Sequence, residues 1–263
     1  MIKTKTISKL LVGSALLLNF SIPMTHAVDA GLCLPSEPIE CEEQPERGYV
    51  YGDPHFKGPD GDDFTFHGVN NGIYGIISED HWFINAKFQN VKAGSTNRIV
   101  STSSLVVRDL PESPQVAFYL NKLGGLNIVG HPVKNTLASG QTLVLGVPGN
   151  KHTVYFVKGK AQWIMKSKVK ILPKAQLYKG SVKIVSILKI TTEEGYSVEQ
   201  VVTKNTKTQV KRIDIGIKTG DKGYFNGTLP KGLIGHLFDA GNAAVNVIPN
   251  GNLFKVANFV QKL

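Results

Sequence analysis

Between Ile73 and Ile217 the chain is a succession of strand-length apolar runs, and no stretch of it holds a long 3.6-residue period. The runs are Ile73 to Ile77, Trp82 to Phe88, Ile99 to Val107, Val116 to Leu120, Leu126 to Val129, Thr142 to Val147 and Val154 to Val157. Gln162 to Leu172, Val182 to Thr191, Tyr196 to Val202 and Val210 to Ile217 continue the series. Gly, Pro, Asn and Lys-Gly breaks separate them, the punctuation of turns between strands. Half-buried strands at such spacing must stack their apolar faces, so the expected fold is all-β, mainly an antiparallel β-sandwich of short strands with few helices. A closed barrel is the alternative. Alternation is clearest from Met165 to Ile171, where one face is mostly apolar and the other is lysine, and it recurs at Ile213-Asp214-Ile215-Gly216-Ile217. The tail 243–263 fits either a last strand or a short helix.

The ends of the chain read differently from this middle. Residues 1–27 have the form of a secretory signal peptide: Lys3, Lys5 and Lys9 precede the apolar run Leu10 to Leu18, and Thr25-His26-Ala27 offers a small-x-small cleavage site. The run is shorter than the roughly 20 apolar residues of a membrane span, and no later segment approaches that length. A secreted or periplasmic protein that does not span a membrane is therefore expected. Residues 28–48 form an acidic, Pro-containing extended arm, with Glu37, Glu40, Glu42, Glu43 and Glu46. The only cysteines, Cys33 and Cys41, lie in this arm, and in an exported chain a disulfide between them is the expectation, two free thiols being the alternative. Residues 49–263 would then be the β domain.

At the start of that domain, Gly52-Asp53-Pro54-His55-Phe56 is followed by Asp60-Gly61-Asp62-Asp63 and by Phe64-Thr65-Phe66-His67-Gly68. This resembles the opening of the von Willebrand factor type D domain, a secreted β-rich module. Near the other end, Gly232-Leu233-Ile234-Gly235-His236-Leu237-Phe238-Asp239-Ala240-Gly241-Asn242 is similar to that family's closing Gly-Leu-Cys-Gly-Asn-Phe-Asp-Gly-Asn segment, with one extra residue and Ile234 at the cysteine position. The resemblance rests on these two ends, and it implies a cysteine-poor relative. It also implies a Ca²⁺ ion tying the two ends together, which carries over to Asp60, Asp239 and Asn242. His236 stands where the family has Asn. These are hard oxygen donors of the kind Ca²⁺ takes. The bland alternative is that the acids cap turns. Some relatives with Gly-Asp-Pro-His cut themselves at the Asp-Pro bond, which points to Asp53, Pro54 and His55 as a self-cleavage site; the alternative is that they only build the turn.

Charge gives a further lead. The formal net charge is +10, and three of the positive charges lie in the leader, leaving +7. From Ser113 to Thr192 there is no Asp or Glu, yet twelve lysines fall there. Lys166, Lys168 and Lys170, on the alternating segment, are candidates for contact with a polyanion such as an acidic glycan. The alternative is solubility and protection of strand edges. No nucleic-acid motif is present, so no specific nucleic-acid partner is expected. Without Gly-x-Ser-x-Gly, His-Glu-x-x-His or a phosphate-cradling glycine loop, the chain reads as non-enzymatic. Its expected role is interaction, in adhesion, in self-association, or with an extracellular or cell-envelope protein or glycan.

Overall fold

The computed structural model describes residues 47–52, 54–59, 61, 63–159, 167–173, 180–193, 195–219, 231–238 and 254–262. In chain order the strands are β1 (Arg47–Tyr51), β2 (His55–Lys57), β3 (Asp63–Thr65), β4 (Ile73–Ser78), β5 (Trp82–Asn90), β6 (Arg98–Arg108) and β7 (Gln115–Asn121). They continue as β8 (Leu126–Val129), β9 (Thr142–Val147), β10 (Asn150–Lys158), β11 (Val182–Thr192), β12 (Ser197–Asn205), β13 (Lys211–Lys218) and β14 (Lys255–Val256). A 3₁₀ turn, Gly235–Phe238, precedes β14. Eight strands form one sheet, in the order β3-β2-β1-β13-β12-β11-β10-β9; six form the other, in the order β14-β4-β5-β6-β7-β8. The recorded pairings are antiparallel throughout, for example β11 with β12 and β5 with β6.

Period-two alternation decides which side chains fill the sandwich. Val154 and Phe156 of β10, Leu188 and Ile190 of β11, Val198 and Val202 of β12, and Ile213, Ile215 and Ile217 of β13 face inward from one sheet. Ile84, Leu105, Val107, Val116 and Phe118 face inward from the other, and all join one buried cluster. Two polar residues bridge the sheets through that core, the Ser103 hydroxyl donating to the Gln200 side-chain oxygen, and both are fully buried.

The outer faces are also covered. On the eight-stranded sheet, Val157, Ile184, Ile187 and Val201 pack with Val169 and Leu172 of a strap over 167–173. On the six-stranded sheet, Phe83, Val106 and Ala117 form a small cluster with Tyr119, and the Phe259 ring stands edge-on to Tyr119 at 5.7 Å and 86°.

The all-β sandwich expected from the sequence is thus the observed fold, with two differences. Strands are not uniformly short, since β6 and β11 each run to 11 residues. The run Gln162 to Leu172, expected as a strand, is not one where it is described: Ser167 and Lys168 are helical and residues 169–173 are irregular. Its alternation is still satisfied, because Val169 and Ile171 are buried while Lys168 and Lys170 are exposed, but its main chain bonds a buried carboxylate, not a neighbouring strand. The tail, read as strand or helix, supplies the two residues of β14, paired with Tyr74 and Ile73 of β4.

Candidate functional site

The first candidate is the junction of the opening and closing motifs. Strand β1 pairs with β13 on one side and with β2 on the other, which places the opening motif at one end of the eight-stranded sheet. The closing segment runs beside β4 of the opposite sheet, with Leu233 N–H donating to Gly75 O at 3.0 Å and Ile234 N–H to Ile76 O at 2.8 Å. Leu233, Ile234 and Phe238 are fully buried. Two glycines of the opening region let this segment close down. A Cβ on Gly58 would lie 2.8 Å from Leu237 Cβ and 2.9 Å from Leu237 O; one on Gly48 would meet the Phe238 ring at 2.8 Å. The two motifs are therefore in direct contact, although about 180 residues separate them in sequence. Beneath the opening loop lies an aromatic stack, with Phe56 and Phe64 parallel at 4.8 Å and Phe66 edge-on to Tyr74 at 4.9 Å. Asp60, Asp239 and Asn242 lie outside the described residues, as does Asp62.

The second candidate is the turn around Pro54. Gly52 has φ of +71°, a conformation that glycine adopts without strain. Its N–H donates to Asp214 Oδ1 at 3.0 Å. That carboxylate is almost fully buried, and it also accepts from Thr203 Oγ1 at 3.0 Å and from Arg212 Nε at 2.9 Å. The Pro54 carbonyl accepts from Phe66 N–H at 3.2 Å. His55 Nδ1 bonds Thr65 Oγ1 at 2.9 Å across the β2–β3 pair, and the Cδ2 edge of its ring lies over Gly52, 3.5 Å from where a Cβ would be. The Tyr51 ring is 5.6 Å from that of His55, and its phenol is held above its ordinary range by burial and by the Asp63 charge. Asp53 is outside the described residues, as are Cys33 and Cys41.

The third candidate is a cleft on the outer face of the eight-stranded sheet. Cross-strand register lines up Tyr155, Lys189, Glu199, Gly216 and Tyr49 in one row over β10, β11, β12, β13 and β1. Glu199 is fully buried at the centre of the row and clamps the strap. Its carboxylate accepts the Lys170 N–H at 2.9 and 3.0 Å and the Ile171 N–H at 2.9 Å, and Lys189 Nζ stands 3.4 Å away. Gly216 makes room for the strap, since a Cβ there would sit 3.0 Å from both Ile171 Cγ2 and Leu172 Cγ. Between strap and sheet is a cleft of about 550 Å³, lined among the described residues by Thr153, Tyr155, Ser167, Lys168, Lys170, Ile187, Lys189 and Thr191. Lys168 Nζ lies 5.6 Å from the Tyr155 ring centroid.

Of the three lysines singled out from the sequence, Lys168 and Lys170 thus stand on one wall, and Lys166 is outside the described residues. Sequence reasoning missed Thr153 and Thr191, and it did not bring Tyr155 and Lys189 into one site with the strap, because that convergence depends on register. It also missed Glu199, whose signal was an acid inside the apolar run Val198-Glu199-Gln200-Val201-Val202. A second cavity, between the β4–β5 turn and the ends of β10 and β11, is lined by Glu79, His81, His152 and Glu193 among others; at about 20 Å³ it has room for a water and for no larger ligand. Among the described residues no group of three or more His, Cys, Asp or Glu is arranged to hold a metal ion, and no helix is long and apolar enough to cross a membrane.

A scan against models of protein families finds no match to this chain, and a search of curated proteins finds no similar sequence.

Proposed function

We propose that this chain is an exported, non-enzymatic β-sandwich module whose work is interaction, in adhesion, self-association or assembly with an extracellular or envelope partner, and that a Ca²⁺ ion locks its opening turn to its closing turn. The supporting observation is the contact of Gly58 with Leu237. Asp60 is two residues beyond the first and Asp239 two beyond the second. Asp60, Asp239 and Asn242 would hold the ion through carboxylate and amide oxygens, which fit a hard cation. The resemblance to the von Willebrand factor type D domain points the same way. A ligand bound only by the folded chain stabilises it by about 2.7 kcal/mol at a hundredfold excess over Kd. Calcium should therefore raise Tm by roughly 5–10 °C for a chain of this size, and Asp60→Ala should abolish the rise. A melting curve unmoved by calcium at every concentration would remove the metal from the proposal.

A second reading, self-cleavage at Asp53-Pro54, is favoured by the clamped Gly52 and by the His55 ring lying over it. The Asp53 side chain would attack its own main-chain carbonyl carbon, and the bond to the Pro54 nitrogen would break as that nitrogen takes up a proton. Water would then open the resulting anhydride. The catalytic groups would be Asp53 and, as proton carrier, His55. Mild acid should release a fragment beginning at Pro54, read by intact mass, and Asp53→Ala should stay whole. An intact wild-type chain after that treatment rejects this reading.

A further inference from the structure

We propose that the cleft between the strap and the outer face of the eight-stranded sheet is a binding site for acidic sugar, taking one or two rings of a sulfated or uronic-acid glycan. The proposal rests on the interaction-module reading for its biological sense, but it involves none of the calcium residues.

Three ammonium groups converge on this cleft, those of Lys168, Lys170 and Lys189. Among the described residues the only carboxylate beside them is that of Glu199, which lies beneath the strap and is occupied by two main-chain N–H groups as well as Lys189. A surplus of two positive charges is left facing solvent, and Lys168 and Lys170 have no recorded ion pair among the described residues. A cleft of about 550 Å³ is within the roughly 300–1,000 Å³ usual for small-ligand sites, far above what a lone sulfate fills.

The rest of the lining fits carbohydrate. Thr153 and Thr191 are directly opposed across β10 and β11, and their hydroxyls, that of Thr191 lying 3.4 Å from Ser197 Oγ, can each donate to or accept from sugar hydroxyls. Ile187, fully buried in the cluster beneath the strap, closes the bottom of the cleft. Nucleic acid fits less well. Among the described residues no Arg lines the cleft, and the one aromatic face there, Tyr155, is engaged by Lys168, so these residues leave no platform on which bases could stack. The wall itself is fixed, because the Glu199 clamp holds the Lys170 main chain and leaves its side chain free to reach the ligand.

Calorimetric titration of the mature chain at low ionic strength tests this, with three probes: a sulfated heparin disaccharide, uncharged maltose and inorganic sulfate. The disaccharide should bind, maltose should not, and sulfate should bind at least tenfold more weakly. Lys170→Gln and Thr153→Val should each weaken disaccharide binding about tenfold, whereas Lys183→Gln, exposed on β11 but outside the cleft, should leave it unchanged. Sulfate binding as tightly as the disaccharide would overturn the sugar site in favour of a simple anion cleft. An equal loss in Lys183→Gln would overturn it in favour of a diffuse charged face, and a short single-stranded oligonucleotide outcompeting the disaccharide would overturn it in favour of nucleic acid. No disaccharide binding, with the calcium shift in Tm intact, would reject the cleft alone and leave the interaction module standing.

Discussion

On the outer face of the six-stranded sheet a neutral row, Asn85, Ser104 and Tyr119, receives the chain at residues 259–261; on the outer face of the eight-stranded sheet the row through Lys189, Glu199 and Gly216 receives the strap at 170–172. Asn85 Nδ2 donates to Phe259 O at 3.1 Å and Gln261 O at 2.8 Å, and Ser104 Oγ donates to Phe259 O at 2.8 Å. Here side-chain donors hold main-chain carbonyls. Glu199 does the converse, a side-chain acceptor holding main-chain N–H groups. Each solution satisfies the backbone of an irregular segment laid over a sheet, which burial requires.

The electrical consequences differ. An amide clamp is neutral and needs nothing further around it. A buried carboxylate must be balanced, and charge-assisted bonds of this kind are roughly twice as strong as neutral ones. Lys189 supplies part of that balance. The covering segment brings Lys168 and Lys170 besides, so this face gathers cations about an open cleft. The same structural problem, solved with a charge, leaves a surface able to recognise one.

The largest effect that would break this comparison is in Glu199→Gln. The substitution preserves shape, but it turns an –NH₂ group toward donors that need an acceptor. Loss of about 3 kcal/mol is expected, because a buried main-chain N–H is left without an acceptor and the bonds that remain lose their charge assistance. Urea unfolding would measure it, and disaccharide affinity should fall with it as the strap loosens. Asn85→Ala should cost less, about 1–2 kcal/mol, because the carbonyls it abandons lie near solvent-exposed chain. Equal costs in the two variants would mean that charge confers nothing special on the clamp.

Much of the fold was legible because period two survives wherever a sheet buries one face. The strap shows the limit of that signal. Lys168-Val169-Lys170-Ile171 alternates as a strand does, but alternation records which side of a chain faces a sheet, and not whether its N–H groups bond another strand. What distinguishes the two cases, Glu199, lies 28 residues from Ile171. The cleft was half legible for the same reason: Lys168 and Lys170 are neighbours in sequence, whereas the Tyr155–Lys189 and Thr153–Thr191 pairs exist only through register. The meeting of opening and closing motifs was signalled by resemblance alone. Its physical requirement, two glycines at 48 and 58 where any side chain would collide with the 234–238 segment, becomes apparent only with both partners in place.

The smallest effect concerns Tyr119, whose phenol is held above its ordinary range by burial. Well below pH 10.0 this tyrosine is neutral in folded and unfolded chains alike, and the stability linked to it is fully present. As pH rises past that value the unfolded chain ionises first, so the unfolded state binds fewer protons and stability declines until the folded phenol ionises too. Phe259, edge-on to Tyr119, is held in place by Asn85 and Ser104. Asn85→Ala should therefore loosen the tail, expose the phenol and bring its pKa down toward 10.0. Phenolate absorbance would follow the shift, with Tyr51 as internal reference, since its own upward displacement comes from burial and Asp63 at the far sheet and should not move. An unchanged Tyr119 titration in Asn85→Ala would show that the carbonyl clamp does not hold the tail, leaving the contact between Phe259 and Tyr119 to cover the neutral face.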